Sequence, residues 1–201
     1  MGTYVQLGQA RTYYEDDGRG EPLVLLHPGG ADSRVFETLL PGLTPHFRVY
    51  RPDRRGHGRT PDVEGPISYE AMARDTIAFL EQVVGGPAYL VGHSDGAPTA
   101  LVTALLRPDL VRRLVLAGGV FHHEGWAPGA IYLDDATLEF FVGFHGAVSP
   151  DGPHSFVALN AKLDRMHETE PTLTVEDRPG IRARRSSMPE TTRTRSRSTI
   201  R

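Results

Sequence analysis

Three stretches of this chain are apolar at successive positions: residues 23–26, 88–91 and 114–117. A strand of that kind has both faces buried, so it belongs inside a sheet that carries helices on each side. The segments between them supply the helices. Residues 68–84 place Ala71, Ile77, Leu80 and Val84 near helical spacing, with Ser68 available as an N-cap. Residues 97–108 form a second helical segment that Pro108 stops. Residues 48–53 add a further strand, and residues 3–7 and 11–15 make a hairpin around a Gly-Gln turn. Six strands alternating with helices predict the α/β class, with a mostly parallel sheet.

After Gly119 the pattern changes. Residues 136–146 and 155–170 have helical character, and no strand is expected between about 120 and 172. This is the pattern of a helical insertion laid over one end of a sheet. From Arg178 onward the text has no periodicity and few apolar residues, so residues 173–201 are expected to be a disordered basic tail. That tail distorts the overall charge of −3. Removing the eight arginines and one glutamate of residues 178–201 leaves 14 basic against 24 acidic residues, a net −10 for the body. A two-base shift of reading frame from Arg184, with G/C-rich codons, restores an apolar run followed by clustered acids, so a frameshift is the expected origin of the tail. The expected division is therefore a core at 1–119, a helical cap at 120–172 and the tail at 173–201.

Chemistry concentrates at three loops that follow strands. Gly92-His93-Ser94-Asp95-Gly96 is a G-x-S-x-G pattern between the strand at 88–91 and the helix at 98–107. A sharp strand-to-helix turn exposes such a serine, and small neighbours let the backbone pass close by. A serine hydroxyl is a weak nucleophile until a histidine, oriented by a carboxylate, takes its proton. His27-Pro28-Gly29-Gly30 follows the strand at 23–26, where a loop amide can face a developing oxyanion. Residues 51–60, "RPDRRGHGRT", are expected to be architectural, with Asp53 and Arg55 paired and His57 structural.

In this order and spacing, H-x-G-G, D-x-R-G-H-G and G-H-S-x-G resemble the α/β-hydrolase family over residues 3–177, in its capped, esterase-like serine branch. The resemblance implies an eight-stranded, mostly parallel sheet with a helical cap after the sixth strand. It also implies Ser94 as nucleophile, the Gly29 and Asp95 N–H groups as oxyanion donors, and a triad in the order serine, acid, histidine. The acid and histidine that follow the family's seventh and eighth strands have no counterpart in this reading. His122, His123, His145, His154 and His167 all fall in the expected cap, as pocket-lining or solvent-facing groups, and Glu124 lacks a partner.

The reading of function is a serine hydrolase acting on an ester or related acyl bond. The alternative is an inactive, truncated domain that at most binds a ligand or partner. Phe140, Phe141, Phe144, Phe156 and Met166 point to a small apolar acyl substrate. No cofactor or metal is expected, and no nucleic-acid or membrane partner. The absence of cysteine excludes thiolate chemistry. Residues 1–18 show no basic-then-apolar leader, and no apolar run approaches a membrane span, so the expected location is the cytoplasm. The strand at 111–117 is expected to form a sheet edge through which copies associate.

Overall fold

The computed structural model of this chain describes residues 2–127, 129, 131–174 and 177. The basic tail from Arg178 lies outside them. Six strands form one sheet: β1 (Thr3–Leu7), β2 (Ala10–Gly18), β3 (Glu21–Leu26), β4 (Phe47–Pro52), β5 (Ala88–His93) and β6 (Val111–Ala117). Their order is β1-β2-β4-β3-β5-β6, with β1, β2 and β4 antiparallel and β4, β3, β5 and β6 mutually parallel. The expected mostly parallel α/β sheet is present with the six strands read from the sequence, and the described residues hold six of the eight strands that the family resemblance implies.

Helices cover the sheet: α1 (Leu40–Leu43), α2 (Tyr69–Phe79), α3 (Gly96–Leu106), α4 (Asp135–Gly146) and α5 (Ser155–Thr169). Ser68 caps α2 as expected, accepting from the Ala71 amide at 3.0 Å. The helix then widens into one π turn over Leu80–Val84 and stops at Gly85, whose φ of 80° suits glycine. Alternate residues of β3 explain its unbroken apolar text. Val24 and Leu26 join Phe79, Leu90 and Ala100 under α2 and α3, while Leu23 and Leu25 join Phe36 and Val49 on the opposite face. β6 is the outermost strand, with Val115 and Leu116 exposed on its two faces.

The chain runs from β3 outward to β4 and then crosses back to β5 on the other side of β3. Loops leaving β3 and β5 therefore part in opposite directions and open a crevice at the carboxyl ends of these strands, where open α/β sheets bind ligands. A third apolar cluster roofs this end. Phe156, Leu159, Leu163 and Met166 of α5 meet Ile67, Tyr69 and Met72, with Phe141 and Val142 of α4 beside them.

The loop after β4 forms the floor. Asp53 is fully buried and accepts from the Ser33 and Arg59 amides, each at 2.9 Å. The expected Asp53–Arg55 pair is not formed: Asp53 is met by those amides and by Arg59, and Arg55 reaches outward to grip Asp75 of α2 at 2.6 and 2.7 Å. His57 is architectural, as expected. It is fully buried and donates from Nδ1 to the Arg55 carbonyl at 2.8 Å. His27 donates from Nδ1 to the Pro28 carbonyl and accepts the Arg54 amide on Nε2.

Burial, reinforced by the Arg54 guanidinium, lowers the His57 pKa to about 3 and holds His27 well below its usual value. The fold excludes protons that the unfolded chain accepts below about pH 6.5, so the stability these groups contribute is full above that pH and is lost on acidification. Each contributes a slope of about 1.4 kcal/mol per pH unit. Urea unfolding between pH 7 and 4 should show a falling midpoint. The stability gap between the parent chain and His57→Gln should narrow as pH drops toward about 3.

Candidate active site

Ser94 stands at the junction of β5 and α3 with φ of 52°, and among the described residues it is the one non-glycine with positive φ. A left-handed backbone costs an ordinary side chain on the order of 1 kcal/mol or more, so it persists only where the surroundings impose it. Here they do. The Ser94 amide donates to the Ala117 carbonyl at the end of β6, and the Ser94 carbonyl accepts from Ala97 in the first turn of α3, both at 2.8 Å. The flanking glycines allow the turn. A Cβ at Gly92 would collide with the Gly96 carbonyl, and one at Gly96 with the Leu26 carbonyl of β3. Ser94 is half-buried, and its hydroxyl has no hydrogen-bond partner among the described residues.

The two expected oxyanion donors lie together. A Cβ at Gly29 would run into Asp95 Oδ2, so the Gly29 backbone rests directly on the Asp95 side chain. Neither the Gly29 nor the Asp95 amide is spent on a hydrogen bond among the described residues. Asp95 precedes α3 at its N-terminus, where the helix dipole favours negative charge.

The Asp95 carboxylate is buried and accepts twice on Oδ1, from the Tyr69 hydroxyl at 2.9 Å and from His167 Nε2 at 2.8 Å. Burial alone would raise its pKa. The His167 hydrogen bond and charge, the Arg54 guanidinium and the Tyr69 hydroxyl together outweigh burial and hold it below the usual carboxylate range. Arg54 is itself buried, donating to the His27 carbonyl at 2.7 Å and to Met72 Sδ at 3.0 Å. Tyr69 is pushed above its ordinary pKa by burial and by the Asp95 charge.

His167 is the residue that sequence reasoning set aside as an ordinary lining group. It lies one turn beyond Leu163 on the buried stripe of α5, and that spacing was its one legible signal. The other histidines of that segment stay away from the Asp95 carboxylate. His145 bonds the Ser155 hydroxyl at 2.9 Å, and His122 stacks on His123. Glu124 is exposed, 3.7 Å from His122. Of the aromatic residues assigned to a pocket, Phe156 is buried against Gly30 and stacked on Phe141, and Met166 is core. Phe140 instead faces solvent at 64% exposure, and Phe144 stacks under the Arg34 guanidinium at 3.9 Å. α4 is a helix of 12 residues, about three turns, and residues 140, 141 and 144 spread around its axis, so its phenylalanines cannot all face inward.

Compared with known proteins, residues 21–200 match the alpha/beta hydrolase fold. The chain belongs to the alpha/beta hydrolase fold family. It is 33% identical over 159 residues to the 2-hydroxy-6-oxo-6-(2'-aminophenyl)hexa-2,4-dienoic acid hydrolase of Metapseudomonas resinovorans, covering 74% of this chain and 53% of that one. It is 36% identical over 152 residues to the pimeloyl-[acyl-carrier protein] methyl ester esterase of Methylococcus capsulatus, covering 74% and 56%. A meta-cleavage product hydrolase from Pseudomonas fluorescens IP01 superposes with a TM-score of 0.66 at 22% identity, over 87% of this chain and 74% of that one, and so shares the fold. The chain spans about half the length of the curated relatives it matches. Its relatives in this family thus include proteins named as a dienoic acid hydrolase and as a methyl ester esterase.

The geometry sets opposite signs on two substitutions. Ser94→Gly should raise stability by about 1 kcal/mol, because glycine adopts the left-handed backbone without strain. Gly96→Ala should lower it by about 3 kcal/mol, because the methyl meets a fixed backbone carbonyl. Equilibrium urea unfolding of both variants checks the pair.

Proposed function

We propose that this chain hydrolyses an ester or related acyl bond through Ser94. The observation that carries the reading is the left-handed backbone of Ser94 between β5 and α3, beside the unspent amides of Gly29 and Asp95. Strain of this kind at a half-buried turn is a stability cost that a purely structural serine has no reason to bear. In the proposed reaction, Ser94 Oγ attacks the acyl carbonyl carbon as its proton leaves to a base. The carbonyl oxygen becomes an oxyanion between the two amides. The C–O bond to the alcohol then breaks, and water releases the acyl group by the same steps.

Each preorganised amide donor of such a pair is worth about 10²–10³ in rate. Helices α4 and α5 serve as the cap in this reading. Leu163 lies against Gly29, and Phe141 and Phe156 against Gly30, which favours a small apolar acyl group. The exposed Val115 and Leu116 on the outermost strand support self-association along β6.

p-Nitrophenyl acetate hydrolysis tests the reading. The parent chain should turn over the ester, and Ser94→Ala should lose at least about 100-fold of that rate. Equal background rates in both proteins would instead identify a fold that binds without catalysis.

A further inference from the structure

Asp95 touches both amides on which the proposed oxyanion site depends. One amide is its own, and its side chain rests on the residue that carries the other, since a Cβ at Gly29 would overlap Asp95 Oδ2. An aspartate side chain is short, so fixing its carboxylate also restrains the peptide that bears it. Oδ2 is buried and makes no hydrogen bond among the described residues. The carboxylate is held through Oδ1 instead, which accepts from the Tyr69 hydroxyl at 2.9 Å and from His167 Nε2 at 2.8 Å.

Building on the Ser94 reading, we infer that Tyr69 is a positioning residue for the ester reaction: through the Asp95 carboxylate, its hydroxyl sets where the Asp95 and Gly29 amides stand. Of the two donors to Oδ1, His167 belongs to the covering helix α5, whereas Tyr69 opens α2, which packs on α3 directly behind Asp95. Tyr69 is itself fixed on every side. Its ring joins the buried cluster of Ile67, Met72 and Leu163, its amide donates to Glu170 at 2.9 Å, and Ser68 before it caps the helix. Burial and the Asp95 charge keep the phenol protonated, so it remains a donor wherever Asp95 is ionised. Phenylalanine would fill the same space, and among the described residues the hydroxyl makes its one hydrogen bond to Asp95.

Two contacts seat the loop after β3 on the turn after β5. One is backbone on backbone, at Gly96 and the Leu26 carbonyl, and no side chain can adjust it. The other is Gly29 on Asp95 Oδ2, and it moves with the carboxylate. A misplacement of about 1 Å costs on the order of 10²-fold in rate, so a shift of about 0.5 Å should cost about tenfold. Oxyanion donors act on charge that develops in the transition state, so displacing them lowers the saturated rate and spares substrate affinity. Amides placed for a small oxygen anion also serve a larger, weakly accepting sulfur anion poorly. A displaced pair therefore loses ester rate while the thionoester rate hardly changes, whereas a variant with a weakened fold slows both alike.

The experiment is pre-steady-state acylation by p-nitrophenyl acetate and by its thionoester, in which sulfur replaces the carbonyl oxygen. The proteins are the parent chain, Ser94→Ala, Tyr69→Phe, Asp95→Ala, the Tyr69→Phe/Asp95→Ala double variant and Glu170→Ala, with an unfolding midpoint for each. Tyr69→Phe should lose about tenfold of the saturated ester rate, keep the parent's half-saturating concentration, and lower the ester-to-thionoester ratio by a similar factor. Because the hydroxyl acts through the carboxylate, the same change should cost less than about twofold in the Asp95→Ala background. Glu170→Ala removes the acceptor of the Tyr69 amide, so it should lower the unfolding midpoint and leave the ratio at the parent value. Parent-like rate and ratio in Tyr69→Phe, equal losses on the two substrates, or an undiminished loss in the Asp95→Ala background would overturn the positioning role and leave the Ser94 reading intact. If Asp95→Ala does not fold, the rate and ratio of Tyr69→Phe decide alone. A parent chain whose acylation matches Ser94→Ala would overturn both.

Discussion

A buried charge must be matched, or it costs several kcal/mol. Asp95 accepts hydrogen bonds from two separate parts of the chain, Tyr69 at the start of α2 and His167 near the end of α5, and feels the charge of the buried Arg54 in the loop after β4. Its other oxygen rests against the backbone of Gly29 after β3. One carboxylate thus ties together the loops that leave three parallel strands and the helix that covers them. Remove it and the buried Arg54 loses the nearby negative charge that favours its cationic form. These contacts fix relative position more than they add net stability, since the buried carboxylate must first be desolvated.

Close backbone approach is the second constraint, and glycine supplies it. Gly92, Gly96 and Gly29 each stand where any side chain would strike a carbonyl or a carboxylate. These contacts bring the loop after β3 and the turn after β5 into direct contact at the carboxyl end of the sheet. The G-x-S-x-G spacing is thus a packing requirement as well as a chemical signature.

Much of this was legible in the sequence. Strands β3 and β5 announced themselves because two-sided burial leaves no polar alternation, and Ser68 marked the start of α2 by its capping chemistry. The elbow was legible because its glycines have to be glycines. The electrostatic hub was not. Tyr69, Arg54 and His167 lie 26, 41 and 72 positions from Asp95 and meet only through the fold. The Arg55 partner was misread for the same reason, since local spacing favoured Asp53 while the tertiary fold offered Asp75. Phe140 shows the converse limit: an aromatic on an amphipathic helix tells of burial only when the helix's inward face is known.

The start of α2 has one more attachment. The Glu170 side chain, just beyond α5, accepts from the Tyr69 amide at 2.9 Å, while the Tyr69 hydroxyl reaches Asp95. Tyr69 is therefore held at both its backbone and its ring by groups tied to α5. Lifting α5 away from the crevice removes a capping acceptor from α2 and a partner from Asp95 in one motion. The first turn of α2 and the covering helix then behave as one cooperative opening unit, and the amide protons of that turn exchange at the rate at which the crevice is uncovered.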